Sequence, residues 1–281
     1  RKPFAVVHIL RGMKMKEPSR YDQLIEAIFF AHYEKGVASF EFQRSEIEKC
    51  ARELGIRLPK NLGDLIYSFR FRTPLPQRIR ATAPKGKQWV IRSAGRSVYC
   101  FAAAEIPSIV PNPMLVKTRI PDATPGIIAM YALNDEQALL AKLRYNRLID
   151  IFTRVTCYSL QSHLRTTAPH LGQIETDEIY VGVDRSGAHY VFPVQAKGAR
   201  EKLNIIQIEQ DFELCKHKFQ ALICRPIGTQ FLAENTIVLF EFERQDDAVR
   251  ISQEKHYQLV PSEEVTAEML EEYRRSVVSD D

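Results

Sequence analysis

The chain of 281 residues has no uncharged apolar run approaching the ~18 residues needed to cross a bilayer. No membrane-spanning helix is expected. The N-terminal stretch Pro3 to Leu10 is too short for a signal-peptide core and lacks a small-residue cleavage pattern, so an intracellular, cytoplasmic protein is expected. Cysteine is scarce: Cys50, Cys100, Cys157, Cys215 and Cys224 are odd in number, widely spaced and without a CxxC pair. That excludes a disulfide framework and a zinc knuckle, and predicts separate reduced thiols. His170 and His189 lack the spacing and the cysteine partners of a zinc site. Neither GxxxxGK[ST] nor GxGxxG occurs, and Ser and Cys nucleophile motifs are absent. A nucleotide cofactor is therefore not expected.

What remains is a foldable composition, 45% hydrophobic and 26% charged, long enough for two domains. The formal net charge of +4 hides an asymmetry. Residues 1–110 carry 20 Lys and Arg against 10 Asp and Glu, and the rest carries 19 against 25, so a basic portion of +10 precedes an acidic one of −6. A basic half contacts polyanions most readily, and nucleic acid is the leading partner. Residues 1–110 are expected as a DNA-binding domain, 111–134 as a proline-rich connection that packs against something, and 135–281 as a second domain with a different task.

Within the basic half, residues 21–34 place Leu24, Ile25 and Ile28 at helical spacing with Gly36 as a stop. Val37 to Phe42 is β-prone. Ser45 with Glu48 three residues on reads as a capping box opening a second helix through Leu54. A third helix is expected over 60–72, with Lys60, Asn61, Tyr67, Arg70 and Arg72 facing outward. RIRATAP from Arg78, QWVIRSAG and RSVYCFAAA read as short strands separated by turn residues. Three helices followed by a basic hairpin resemble a winged-helix domain. That resemblance implies contact with double-stranded DNA, for which Lys60, Asn61, Tyr67, Arg70, Arg72, Arg78, Arg80, Lys85 and Lys87 are the candidates.

In the second half, a long buried helix is expected from Asp135 to Leu164, its apolar residues spread over more than one side. Then comes a hairpin, with arms Ile174 to Asp184 and Ala188 to Lys197 joined at Arg185-Ser186-Gly187. The first arm opens with Glu175, Asp177 and Glu178. The second ends in Gln195-Ala196-Lys197, where a period of two puts Gln195 and Lys197 on one face. An amphipathic segment over 202–219 and the β-prone ALICRPI and TIVLFEFE follow.

An acidic residue opening one strand and Gln-x-Lys closing its partner, 18 residues on from Asp177, resembles the PD-(D/E)xK nuclease superfamily, in the QxK form of Mrr-type restriction endonucleases. The resemblance implies a mixed αβ chain, of α+β or α/β type, whose nuclease core has a central mixed sheet. It also implies Mg²⁺, with Mn²⁺ able to substitute, held by Asp177, the Gln195 side-chain carbonyl and the Ala196 backbone carbonyl. Lys197 would orient or help deprotonate the attacking water, and Glu175 would be a second carboxylate. Glu178 is the alternative ligand. Gln195 departs from the commoner acidic residue, and no PD dipeptide precedes the first strand. Asp150, His163 and Arg165 are secondary candidates. The expected function is a Mg²⁺-dependent endonuclease of restriction type acting on double-stranded DNA as a homodimer, formed in solution or on DNA. A winged-helix regulator without catalysis and a structure-specific repair or recombination nuclease are the alternatives.

Overall fold

The computed structural model describes residues 19–58, 62–71, 73–105, 109–132, 136–168, 172–199, 201–233, 235–245 and 248–279. Lys60, Asn61, Arg72 and His170 lie outside the described residues.

Ser19 caps α1 (Arg20–His32) reciprocally with Asp22, and the helix buries Leu24, Ile25, Ile28 and Phe29. It is followed by β1 (Ser39–Gln43), α2 (Arg44–Glu53), α3 (Leu62–Phe71), α4 (Gln77–Arg80), β2 (Gln88–Gly95) and β3 (Val98–Ala104). The three strands pair antiparallel in the order β1-β3-β2. Phe29 sits at the centre, with Phe40, Trp89 and Phe101 around it at ring centroid distances of 5.0–5.2 Å.

Two of the elements expected in this half form differently. The box on α2 is formed by Gln43 and Glu46, whose carboxylate accepts from the Gln43 N–H at 2.6 Å, rather than by Ser45 and Glu48. The supposed strand from Arg78 is instead the one-turn helix α4, because Ile79 is its single buried anchor and a lone apolar residue between arginines has no period to declare.

The second part builds an eight-stranded mixed sheet in the order β4-β11-β10-β9-β7-β6-β5, with β8 paired to β7. Its elements are β4 (Lys117–Pro121), α5 (Gly126–Tyr131), α6 (Glu136–Tyr145), α7 (Leu148–Thr153), β5 (Thr156–Ala168), β6 (Gly172–Val183), β7 (His189–Lys197), α8 (Ile205–Lys218), β8 (Ile223–Cys224), β9 (Ile227–Phe231), β10 (Thr236–Gln245), β11 (Ala248–Val260) and α9 (Ala267–Ser279). The pairs β7–β9 and β4–β11 are parallel. The proline-rich connection thus supplies an edge strand. The chain is a mixed α/β protein, and no helix among the described residues is long and apolar enough to cross a membrane.

The expected long helix does not exist. Its first half divides into α6 and α7, and its second half is β5. Arg147 and Arg154 flank α7 in the left-handed region at φ 48° and 57°. The Asn146 amide donates to Asp122 and Thr124, fixing the break between the helices. Leu140, Leu143, Leu148, Ile149 and Phe152 cover one face of the sheet against Phe192, Val194 and Ala196. α8 covers the other, burying Ile205, Ile206, Ile208 and Leu214.

Gly182 is required where β5 crosses closest to β6. A Cβ there would lie 2.7 Å from a Val155 methyl and 2.9 Å from the Thr156 carbonyl oxygen. Because one obstacle is backbone, Gly182→Val is expected to destabilise by about 2 kcal/mol through overpacking, read as a shift of the urea midpoint. All five cysteines are free, as expected.

Candidate active site

β6 and β7 pair regularly from Glu178 opposite Val194 to Val183 opposite His189, and no pairing continues beyond Glu178. β7 itself runs on to Lys197, held from its other side by β9 through Gln195, Ala196 and Lys197. The strands therefore part where the two sequence motifs meet. In the gap, the Asp177 carboxylate accepts the Ala196 N–H at 2.8 Å, and the Gln195 amide donates to the Glu175 carbonyl at 3.3 Å. A strand residue sends its N–H and C=O to the same side, so the Ala196 carbonyl also faces the gap that Asp177 occupies.

Lys197 closes the site from below. Its ammonium donates to the Glu136 carboxylate at the start of α6 at 2.6 Å, with only 14% of the lysine side chain exposed. Burial pulls the Lys197 pKa down, but its hydrogen bond with Glu136 and the charges of Asp177, Glu136 and Glu201 outweigh it and the pKa is raised. Burial also raises the Glu136 carboxyl, against the pull of Lys197. For Asp177 burial is again the largest influence, opposed by the Ala196 N–H, Lys197 and His163, and its pKa is raised. Glu136 thus pairs directly with the ammonium, while Asp177 and Glu201 act on it through their charge. Glu201 is fixed by the tight turn in which its carboxylate accepts the Gly198 N–H at 3.3 Å.

Gln195 is placed differently from the expectation. Val194 and Ala196 pack toward α6 and α7, while Gln195 lies 1% exposed under α8. Its amide donates to both oxygens of Asp211 at 3.2 and 3.0 Å, and its carbonyl accepts from Gln207 at 3.1 Å. That carbonyl is engaged, so Gln195 anchors the strand end and does not face Asp177 as a ligand. Lys197 departs from the two-residue alternation because β7 ends there and its long stem reaches round to α6. Fully buried Asp211 also accepts from Thr176 at 2.6 Å. Burial raises its pKa to about 7 despite these donors.

The other carboxylates are tied down elsewhere. Glu175 pairs with Arg165 at 3.0 Å on the outer hairpin surface. Glu178 is fully buried on the opposite side of β6, bonded to Arg144 at 2.7 Å and to Ser159. Asp150 pairs with Arg147 and accepts the Cys157 N–H at 2.9 Å. Cys157 lies opposite Gly182, five residues along β6 from Asp177, or about 17 Å at the usual rise. His163 contacts Gln137 at 2.8 Å, and its charge acts on Asp177. Glu136, Glu201 and Asp211 escaped the sequence reading. A carboxylate in the first turn of a helix ahead of the hairpin was the available signal for Glu136. For Asp211 it was its position three residues from both buried Ile208 and buried Leu214.

Among the described residues no three His, Cys, Asp or Glu side chains gather as a metal-holding group. The donor set still suits Mg²⁺, which takes one or two carboxylates and completes its shell with water and substrate phosphate. Asp177, Glu136 and the Ala196 carbonyl are hard oxygen donors of that kind.

In the first half, Arg78, Arg80, Lys85 and Lys87 are exposed along one short segment, Arg78 lying 3.1 Å from Glu26. Tyr67 is half-buried with its ring 4.8 Å from Phe71. Arg70 is not outward-facing as expected. The end of α3 docks on α8, where the Asn204 amide donates to the Arg70 carbonyl at 2.9 Å and Phe71 joins the apolar cluster of Ile206 and Phe240. Arg92 on β2 reinforces the contact through Glu209 at 2.7 Å. Comparisons of the chain with protein-family models, with curated proteins and with solved structures give no match.

Proposed function

We propose that the chain is a Mg²⁺-dependent endonuclease of restriction type, in which a basic winged-helix-like domain holds double-stranded DNA and a PD-(D/E)xK-like domain cuts it. The observation that carries this reading is the parting of β6 from β7, which leaves Asp177, the Ala196 backbone and Lys197 converging on one gap with Glu136 at its edge. When bound, the cation supplies charge stabilisation at a phosphoryl group and lowers the pKa of a water. Asp177 holds the cation site together with the Ala196 carbonyl. Glu136 fixes the Lys197 ammonium and offers a second carboxylate. In this reading Lys197 serves as a cation facing phosphoryl oxygens, its ammonium held by Glu136 at 2.6 Å. Cutting both strands with one site per chain calls for a homodimer.

The helical order also supports the DNA-binding part: α1, β1, α2 and α3 are followed by the β2–β3 hairpin. With the end of α3 docked on α8, the exposed basic contacts for DNA are Arg78, Arg80, Lys85 and Lys87. Lys85→Ala is expected to reduce the slope of log K against log salt by about 1, measured by fluorescence anisotropy in EDTA. An unchanged slope would remove Lys85 from the interface.

Glu136→Gln should lower kcat by about 10- to 100-fold by releasing Lys197 and removing a carboxylate from the cation site. Burial raises the Asp177 pKa in the cation-free chain, and protons compete with the cation for its carboxylate. Cleavage is therefore expected to fall as pH drops and to be recovered in part by more Mg²⁺, read from initial rates at two Mg²⁺ concentrations. The test of the whole reading is cleavage of plasmid and genomic DNA by the full chain in Mg²⁺. Loss of cleavage in EDTA is expected.

A further inference from the structure

A second site lies where the two domains meet. α3, α4 and β2 on one side and residues 202–205 on the other enclose a cleft of about 620 Å³, within the range of about 300–1,000 Å³ typical of small-ligand sites. Its charged lining among the described residues is of one sign: Arg70, Arg80, Lys87 and Lys202 border it, and no carboxylate does. The floor is apolar and partly aromatic, with Phe69, Phe71, Trp89 and Leu203.

Arg70 is the unusual member. Its Nε and one Nη are buried without a hydrogen-bond partner among the described residues, while its guanidinium lies 4.8 Å over the Phe71 ring. Burial lowers the Arg70 pKa, and the phenols of Tyr67 and Tyr99 counter it only in part. Buried guanidinium nitrogens are rarely left unpaired, and an unpaired one marks the place of a missing acceptor. The fork of an arginine matches the oxygens of a phosphate. The cleft also opens at the first residue of the 14-residue helix α8, whose N-terminal partial charge favours an anion.

We infer that this cleft binds a nucleotide, its phosphate on Arg70 with Arg80, Lys87 and Lys202 around it and its base against the aromatic floor. A free nucleotide and a nucleotide of a bound strand share this chemistry. Because residues 202–205 follow Lys197 within a few residues, an occupant would bridge the basic domain to the segment leaving the active site. The inference does not depend on catalysis.

The test is titration calorimetry in EDTA with dAMP, with inorganic phosphate alone and with a 20-base-pair duplex, using the full chain, Lys202→Glu and Arg80→Glu. Both substitutions are at exposed positions, and far-UV circular dichroism checks that each variant folds. Saturable one-to-one binding of dAMP is expected, tighter than phosphate by about tenfold and weakened by about tenfold in each variant. Should dAMP fail to bind while Lys202→Glu weakens duplex binding by about tenfold, the strand is the source of the nucleotide. Equal affinity for dAMP and phosphate would overturn the nucleotide assignment. So would dAMP binding that neither variant alters, or the absence of dAMP binding together with a duplex affinity that Lys202→Glu leaves unchanged. A chain that cuts no DNA but binds dAMP in this way would lose the nuclease reading and keep this one.

Discussion

Lys197→Ala is expected to lower the rate of DNA cleavage by about 10³-fold, equivalent to about 4 kcal/mol of transition-state stabilisation, with DNA affinity in EDTA unchanged. The ammonium is held at 2.6 Å from Glu136 in a nearly enclosed position, and Asp177, Glu136 and Glu201 keep it protonated. No other lysine or arginine pairs with these carboxylates among the described residues, so nothing nearby replaces the lost charge. Lys197→Arg separates two roles. A permanently charged guanidinium restores about tenfold over the alanine variant if the residue serves as a cation, and restores nothing if it must accept a proton. Single-turnover rates of the two variants at one pH decide between them. If Lys197→Ala cuts as fast as the wild type, the site does not lie in this gap.

The second large effect concerns stability. Asp211 is fully buried with a pKa of about 7, far above its value of about 3.9 in an unfolded chain. The folded state therefore holds a proton that the unfolded state releases. The stabilisation is fully present below about pH 4 and is lost as pH rises toward and through 7, to a total of about 4 kcal/mol. Between pH 5 and pH 8 the wild type should lose about 2–3 kcal/mol from this group, measured by urea unfolding at both pH values. Asp211→Asn keeps a neutral side chain with an oxygen acceptor for Thr176 or Gln195, and its stability should vary less over that interval by the same amount. Parallel losses in the two proteins would show that Asp211 is ionised throughout. The consequence reaches the candidate site, because Asp211 and Gln207 hold Gln195, the residue before the amide that Asp177 grips.

The hairpin carrying the candidate site was legible in the sequence because it follows two short-range rules. Its arms alternate with a period of two, and Gly187 takes the positive φ of 83° that the turn needs. The same rules singled out Asp177 on one arm and Lys197 at the end of the other, and the fold puts Asp177 mid-way along β6, gripping the Ala196 N–H next to Lys197. Gln195 was misplaced because alternation assigns a face without saying what fills it. Here α8 brings Gln207 and Asp211 over Gln195 from sequence positions well beyond the strand. Glu136 was missed because its partner Lys197 lies 61 residues away, a pairing no local pattern encodes.

The long helix was misread because Leu148, Ile149 and Phe152 continue a helical stripe past Asn146. The break depends on left-handed arginines at 147 and 154, where sequence rules look for glycine. Arg70 was misassigned for a related reason. On an isolated α3 it counts as an outward cation, and only the docking of that helix on α8 buries it.

The most direct measurement is incubation of the full chain with methylated and unmethylated plasmid DNA in Mg²⁺ beside an EDTA control. The proposal predicts discrete fragments in Mg²⁺ and none in EDTA, with Asp177→Asn as inactive as the chelated wild type. Intact DNA on every substrate, while salt-sensitive binding persists, would contradict it and leave a DNA-binding protein without catalysis.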